Sequence, residues 1–561
     1  PSFGHAVIGR CLEAAGFRVA ILPQPNWRDD LRDFRKLGKP RLYFGVTSGC
    51  MDSMVNHYTA ARRMRTNDAY TPGGQAGFRP DYATYVYTRI LKQIFPDTPV
   101  VIGGIEASMR RFSHYDYWSD TLKPSILSEI PADLLVYGMG EKIMVQIAEG
   151  LRDGKSIEDM RKLPQIGYIS TTLPDYDGDT IKLHPHEACL KDKFKQAQNF
   201  HHIELESNKI EASRIIQAVG GKCVVVNPPD EPFSQADIDH SFDLPYMRQP
   251  HPKYARRGAI PAFEMIKFSV NTHRGCFGGC SFCTISAHQG KQVVSRSEKS
   301  VLKEIEFLTQ KTDFKGIITD LGGPSANMYR MGGKNKELCR KCSRYSCIHP
   351  THCKNLDSDH KPLIELCSKA AAVKGVRHLF IGSGIRYDLF TEQNAGYRYW
   401  ENVVKHHVSG RLKVAPEHTS EKVLQSMRKP SFKLFGDIKR RFDYICRRNG
   451  LNQQLVPYFI SSHPSCTLRD MAQLAVTMKG LGYRLEQIQD FTPTPMTLST
   501  EMYYTGYNPA TMEKVFVARH PNEKREQNRM FFWYKAENRN AIRQSLAKSH
   551  NEEFIRKLFP N

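Results

Sequence analysis

The sequence predicts an α/β protein: an N-terminal open parallel sheet, then a partial parallel β/α barrel, then a C-terminal extension. Three observations lead there. Short apolar runs alternate with helix-like stretches through the first 160 residues, and again, more regularly, from Met265 onward. A polar, Pro-rich passage separates the two series. The chain has 561 residues, which at roughly 100–200 residues per domain calls for about three to five domains.

The N-terminal elements follow in order. His5–Gly16 has helical spacing of its apolar positions and ends in Gly16, a natural helix stop. Phe17–Leu22 is expected to be a buried strand, and Arg41–Val46 a second that leads into Thr47-Ser48-Gly49-Cys50. Arg79–Phe95 is a helix bounded by Pro80 and Pro96. Val100–Ile102 runs into Gly103-Gly104, Asp133–Tyr137 runs into Gly138–Gly140, and Glu141–Glu149 is helical. Ligands of such sheets sit beyond the carboxyl ends of the strands, so these glycine turns mark the ligand edge of a unit over 1–160. Between 161 and 260 the signals weaken. Gly167–Ser170 and Lys222–Val226 are strand-like, 191–218 is helical, and Pro228-Pro229 opens a passage that continues through Pro250 and Pro252. A connector wrapping onto the next unit is expected here.

Six apolar runs then recur: Ile266–Val270, Gly316–Leu321, His378–Gly382, Leu412–Ala415, Leu455–Ile460 and Gln487–Phe491. Helix-like stretches such as Glu298–Gln310 and Pro362–Val373 separate them. They predict a barrel over 261–500 with a Cys-rich insertion at 330–360, followed by a basic extension over 501–561. Barrel chemistry belongs at the carboxyl ends of the strands. The residues there are Thr272–Cys283, Gly322-Gly323-Pro324, Ser383–Arg386, Pro416-Glu417-His418, Ser461-Ser462-His463 and Thr492–Pro495.

Composition excludes several classes. Forty per cent apolar and ten per cent aromatic residues rule out a largely disordered chain. Fourteen cysteines are too few for a disulfide-rich scaffold of this length. No stretch approaches the roughly 18–20 apolar residues of a membrane span, so the expected location is the cytoplasm. The chain opens on Pro1-Ser2-Phe3-Gly4 without an initiator Met or a basic-then-apolar leader, which suggests a trimmed N-terminus. Lys and Arg number 80 against 58 Asp and Glu, for a net charge of +22. From Thr511 onward there are eleven basic and six acidic residues around Phe531-Phe532-Trp533-Tyr534. Such a mixture can track phosphates and stack bases. An amphipathic helix with core aromatics is the plainer expectation.

Seven of the fourteen cysteines fall between 276 and 353. Cys276-Phe277-Gly278-Gly279-Cys280-Ser281-Phe282-Cys283 sets three thiols at C-x3-C-x2-C, directly after the first barrel strand. A glycine-bearing loop of this kind wraps three sulfurs around one face of an iron–sulfur cube and leaves one iron open. A structural zinc site wants four ligands, and no fourth cysteine is adjacent.

This motif resembles that of the radical SAM superfamily, with Phe282 at the aromatic position before the third cysteine. The resemblance implies that Cys276, Cys280 and Cys283 hold a [4Fe–4S] cluster whose open iron chelates S-adenosylmethionine. It implies release of a 5′-deoxyadenosyl radical that abstracts hydrogen from substrate. It places Gly322, Gly323 and Pro324 in the turn at the methionine amino group, and Ser383 and Arg386 at the ribose and carboxylate. Glu417 and His418 are further candidates, and Phe282 lies against the cofactor. The runs His273–Cys280, His288-Gln289-Gly290, Ser295-Arg296-Ser297 and Leu321–Tyr329 are similar to the YgiQ family of radical SAM proteins. That likeness extends from Pro1–Arg10 to the basic tail. It implies a Rossmann-like N-terminal domain of the cobalamin-binding kind before the barrel. Cobalamin itself stays open, because the ligand string Asp-x-His-x-x-Gly does not occur in this sequence.

A second set, Cys339, Cys342, Cys347 and Cys353, has x2, x4 and x5 gaps. Four thiols so spaced in a cytosolic chain signal a metal. The short gaps suit a closed zinc site, and four thiolates also suit an auxiliary iron–sulfur cluster. His349 and His352 are potential substitutes for one thiolate. Cys50, Cys223, Cys367, Cys446 and Cys466 are scattered and expected in cores, although Cys466 follows the fifth barrel strand. Arg110–Asp120 (RRFSHYDYWSD) is expected to be either an interdomain or substrate surface, or a packed loop.

The expected activity is therefore radical SAM chemistry fed by an electron donor such as a flavodoxin, with the basic charge favouring RNA or a ribonucleoprotein as substrate. Two alternatives stand beside it: cobalamin-dependent methyl transfer, and a non-catalytic iron–sulfur protein that binds nucleic acid. No individual residue of the sequence declares itself as the catalytic acid, base or radical carrier.

Overall fold

The computed structural model describes residues 4–486 and 488–560. The opening Pro1–Phe3, part of the family-like N-terminus, and Gln487, the start of the sixth apolar run, lie outside the described residues.

The N-terminal sheet is built from β1 (Phe44–Val46), β2 (Val100–Ile102), β3 (Leu134–Val136), β4 (Ile166–Ser170), β5 (Thr180–Leu183), β6 (Arg214–Val219) and β7 (Lys222–Val226). Their order across the sheet is β1-β2-β3-β4-β7-β6-β5. Strands β1, β2 and β3 run parallel; β4, β7 and β6 then alternate antiparallel, and β5 lies parallel to β6. The central strands β2 and β3 are buried on both faces, which is why they appear as unbroken apolar triplets. Four strands from the expected connector thus extend the first unit's sheet.

Two expectations fail locally. Phe17–Leu22 forms no strand. Its Val19 and Ile21 side chains lie towards Gly9 of the helix Gly4–Ala14, and the segment stays half-exposed, Ile21 at 39%. The expected helix over 191–218 stops at Ser207, and Arg214–Val219 is strand β6.

The barrel is parallel in its strand pairing, while two short antiparallel pairs, His273–Arg274 with Val294–Ser295 and Gly332–Gly333 with Leu356–Asp357, lie in the loop after its first strand and in the insertion. Its strands are β8 (Ser269–Asn271), β9 (Ile317–Ile318), β10 (Asp320–Gly322), β11 (His378–Leu379), β12 (Arg411–Glu417), β13 (Gln454–Ser461) and β14 (Ile488–Asp490). β8 pairs with β10, β9 with β11, and β12, β13 and β14 form one sheet. Each of the six apolar runs therefore supplies a strand, the second run being split into β9 and β10. Helices such as Glu298–Thr309 and Lys361–Ala371 bury one apolar stripe against these strands.

The tail is three helices, Pro521–Phe531, Ala536–Lys548 and Glu552–Leu558, folded onto the helix Leu468–Gly480. Phe531 is fully buried there, and Phe532 and Trp533 pack against the same core. The aromatic run is core. Arg110–Asp120 is likewise packed rather than free. Tyr115 stacks on Tyr504 at 4.9 Å, and Tyr117 meets Tyr503 edge-on, joining the N-terminal unit to the end of the barrel.

Candidate active site

The three cysteines of the first motif lie on a loop between the short strand His273–Arg274 and the helix Thr284–Gln289. Two glycines make that path available. Gly275 has φ +82° and a Cβ there would run into the Gln292 carbonyl; Gly279 has φ +61° and its Cβ would run into the Tyr345 carbonyl. Both positions require the left-handed region and a close backbone approach at once.

The thiols share one electrostatic setting. Burial above all, and then the neighbouring Cys280, push the Cys283 thiol up to about 12. Burial also raises Cys276, while the Arg386 guanidinium pulls it back. Arg386 Nη1 donates to Cys280 Sγ at 3.1 Å, and Ser325 Oγ lies 3.6 Å from Cys276 Sγ. Thiols this buried become thiolates only with a cationic partner in place, which is the behaviour of metal ligands. Among the described residues no three His, Cys, Asp or Glu side chains converge as ligands of a single ion do. A cube needs no such convergence, because each sulfur takes its own iron.

The other expected site residues surround this loop. A Cβ on Gly322 would meet Ser383 Oγ at 2.7 Å, and one on Gly323 would meet the His273 ring at 2.5 Å, so the turn through Pro324 is held tightly against β8 and β11. Ser383 donates to Asp320, whose carboxylate also accepts from the backbone N–H groups of Gly382 and Ser383. Arg386 is not free for a carboxylate ligand. Asp388 takes its Nε at 3.0 Å and Nη2 at 2.5 Å, and the remaining nitrogen faces the Cys280 sulfur. Glu417 ends β12 with φ +67°, a strained position for a residue with a side chain. Burial raises its carboxyl, and Lys429, 3.6 Å away, opposes that shift. Ser462 and Ser465 repeat the left-handed backbone just past β13. His418 accepts from the Ser420 N–H at Nδ1 and faces Cys466 at 3.5 Å. Phe282 packs edge-on against His463, which bonds Ser499 at 2.7 Å, and Ser499 bonds Ser281 at 2.8 Å.

Sequence reasoning missed Asp320, Lys429 and Ser499; Ser281 and His463 were among the expected strand-end residues, without their link through Ser499. Asp320 carried the one available signal, an acid directly before Leu321-Gly322-Gly323 at a strand end.

A cavity of about 50 Å³ touches Cys280 and Cys283 beneath the helix Lys193–Ser207, with Phe200, Glu204, Arg428 and Thr497 on its walls. A second, of about 140 Å³, lies at the carboxyl end of β3, between Tyr137–Met139 and the strap Ser286–Gln292. Buried Arg111 lines it, with its guanidinium 4.8 Å from the Tyr137 ring centroid. The Gly138 turn presses on the His288 carbonyl, and His288 Nδ1 is buried without a partner. Among the described residues no helix is long and apolar enough to cross a membrane.

A UPF0313 protein of Porphyromonas gingivalis is 56% identical over the whole of this chain and 89% of its own length. One from Bacteroides thetaiotaomicron is 56% identical over the whole of this chain and 93% of its own. The chain belongs to the UPF0313 family, the YgiQ-like proteins. The Radical SAM N-terminal family model matches residues 1–269, and a domain of unknown function, DUF3362, matches 486–557. By that match this UPF0313 member is a radical SAM enzyme. The radical SAM methyltransferase TsrM from Kitasatospora setae, solved with cobalamin and a [4Fe–4S] cluster bound, shares the fold. Its TM-score is 0.50 at 16% identity, covering 89% of this chain and 74% of that one.

Proposed function

We propose that Cys276, Cys280 and Cys283 hold the cluster, and that the substrate is RNA or a ribonucleoprotein reached from the face covered by the helix Lys193–Ser207. The chemistry a [4Fe–4S] cluster supplies here is one-electron reductive cleavage of S-adenosylmethionine to methionine and a 5′-deoxyadenosyl radical. The observation that carries the reading is the buried three-thiol loop at the head of the barrel, with a guanidinium against one sulfur.

The chain's own residues bind and orient. Arg386, fixed by Asp388, holds positive charge against the Cys280 sulfur. The turn Gly322–Pro324 and Ser383, anchored by Asp320, form a wall that would hold the amino group and ribose of S-adenosylmethionine. Glu417 and Lys429 supply a paired acid and base at the β12 end, and Phe282 closes the site from the barrel side. The helix Lys193–Ser207 and the cysteine-rich insertion exclude water from the loop, which protects a reactive radical. A low-potential one-electron carrier such as a flavodoxin supplies the reductant. The +22 charge supports a polyanionic substrate.

The test is anaerobic reconstitution with iron and sulfide, reduction, and chromatography of the S-adenosylmethionine products. Release of 5′-deoxyadenosine and methionine, abolished by Cys280→Ala, is expected. No cleavage under strict anaerobic reduction overturns the reading. If Cys280→Ala leaves RNA affinity intact while cleavage is lost, the chemistry and the RNA contact are separate features of one enzyme.

The cavity at the β3 edge favours a second reading, cobalamin-dependent methyl transfer. It occupies the ligand position of an open parallel sheet and faces the strap that follows the cysteine loop. At about 140 Å³ it is smaller than the roughly 300–1,000 Å³ of ordinary cofactor sites, so a corrin requires the strap Ser286–Gln292 to lift. Incubation with hydroxocobalamin followed by desalting decides this: retained corrin absorbance supports it, and none removes it.

A further inference from the structure

The most informative side chain outside the first motif is Lys291. It is buried, 4% exposed, and belongs to the strap that crosses the cysteine loop. Next to it, the Gly290 carbonyl accepts from the Cys276 N–H at 3.2 Å. The Lys291 ammonium ends on the other cysteine set. Its three hydrogen-bond partners are the Cys342 carbonyl at 3.2 Å, the Arg344 carbonyl at 2.7 Å and Cys342 Sγ at 3.7 Å. A buried ammonium is costly unless an opposite charge meets it. None of these partners is a carboxylate, and the one side-chain atom among them is the Cys342 sulfur. The Cys342 N–H donates to the Cys339 carbonyl at 3.3 Å and the Cys353 N–H to the Cys347 carbonyl at 2.7 Å, so the four cysteines come as two tied pairs, the first of them on Lys291. Four cysteines in two tied pairs beside a buried cation are a donor set of the kind that holds a four-thiolate cluster.

The two cysteine sets are in direct contact. The Cys347 N–H donates to the Phe277 carbonyl at 3.1 Å, and Ser346 Oγ donates to the same carbonyl at 3.2 Å. Phe277, Met328, Met331, Ile348 and Leu389 form one apolar cluster against which both Cys276 and Cys347 pack. The first site is therefore walled from solvent by the insertion, and the insertion itself faces outward. Lys334, Lys336, Lys341 and Lys354 are exposed on it, against exposed Glu337 and Asp357.

We propose that Cys339, Cys342, Cys347 and Cys353 ligate a second [4Fe–4S] cluster, which passes single electrons from an acidic low-potential carrier protein, docked on the lysine face, to the first cluster. This rests on the radical SAM reading of the first site. One electron leaves the reduced carrier, reduces the second cluster from the 2+ to the 1+ state, and moves on across Phe277. No bond forms or breaks and no proton is required. Closed zinc, the other occupant of such a set, would leave the buried path between outer face and first site without a redox group. Lys291 is a positioning residue in this scheme: its charge favours the reduced, more negative state of the site it touches.

The test uses the full chain, reconstituted anaerobically with iron and sulfide. The intact protein should hold about eight irons per chain, and the variant Cys276→Ala, Cys280→Ala, Cys283→Ala about four, with the electron-paramagnetic signal of a reduced cube. About four irons plus one zinc in the intact chain, or zinc without iron in the triple variant, overturns the cluster. These measurements contain no S-adenosylmethionine, so their failure is distinct from failure of cleavage. Lys291→Met in the triple-variant background should keep the iron and shift the reduction midpoint lower; an unmoved midpoint removes Lys291 from the scheme. In the otherwise intact chain, Lys291→Met should slow reduction of the first cluster by reduced flavodoxin at least tenfold, while titanium(III) citrate reduces it at the wild-type rate. Equal slowing or no slowing with both reductants overturns the relay.

Discussion

Arg386 donates to the Cys280 sulfur at 3.1 Å, and Asp388 holds the other two nitrogens of the same guanidinium. The pair is buried, with side chains 8% and 11% exposed. A positive charge is thereby fixed beside a metal ligand by a carboxylate that never touches the metal. The arrangement explains why Gly278 is glycine, since a Cβ there would stand 2.5 Å from Arg386 Nη1.

Removing that charge should leave the cluster in place and make its reduction harder. Arg386→Gln is expected to keep its iron, shift the cluster midpoint lower and slow S-adenosylmethionine cleavage by roughly tenfold or more. Asp388→Asn should act differently, because it leaves the buried guanidinium without its carboxylate. A loss of about 3–5 kcal/mol of stability is expected, as when one partner of a buried pair is deleted. Iron analysis with redox titration checks the first expectation, and thermal unfolding checks the second.

Gly279→Ala should damage both cysteine sets together. The position combines φ +61° with the Tyr345 carbonyl at the site of the new methyl, so the substitution costs about 1–2 kcal/mol for the backbone alone and pushes the insertion off the loop. Iron content should fall at both sites, whereas Gly384→Ala, whose Cβ would meet nothing within 4 Å, should leave it unchanged. Iron per chain after identical reconstitution of the two variants is the measurement.

The legible part of this protein is the part where local chemistry decides. The barrel strands show themselves because each is a short apolar run ended by glycine, proline or polar residues, and the first cysteine motif is contained in eight consecutive residues. Phe17–Leu22 looks like a strand because it is apolar, but apolarity does not choose between a ladder and the face of a neighbouring helix. Arg214–Val219 did carry a local signal, the turn Gly220-Gly221 that joins it to β7 as a hairpin; only its pairing with β5 is set by tertiary structure. Lys291 is invisible for the same reason: the sulfur it meets is 51 residues further along the chain. Arg386 could be placed at the site from its strand end, while its commitment to Asp388 and Cys280 could not.

Cys466 should be chemically silent despite its position after β13. It is fully buried against His418, and burial above all pushes its thiol well above the ordinary cysteine range. It therefore behaves as a small apolar side chain. Cys466→Ala is expected to leave S-adenosylmethionine cleavage within about twofold and to cost about 1 kcal/mol or so for the small void. In the folded protein, alkylation by iodoacetamide should spare Cys466 while labelling exposed Cys50; mass spectrometry of the peptides reads both.

Glu501 gives the chain a pH dependence with a defined sign. It sits on the helix Leu498–Thr505, fully buried, where burial pushes its carboxyl from 4.5 up to about 8 and the amide of Gln196, 3.1 Å away, pulls it partly back. Between those two values the folded chain keeps a proton that the unfolded chain has released. The folded state binds more protons, so stability falls as pH rises from about 4.5 to about 8 and levels off beyond. Below 4.5 both states are protonated and the contribution is complete. Glu501→Gln keeps the hydrogen-bonding shape and removes the titration. The variant should match the wild type in acid and exceed it by a few kcal/mol at most above pH 8. Because Gln196 belongs to the helix that covers the cysteine loop, the same variant should hold that helix in place at alkaline pH. The difference between the two melting temperatures, plotted against pH, isolates Glu501 from every other titrating group; a flat difference would show that the carboxyl titrates alike in both states.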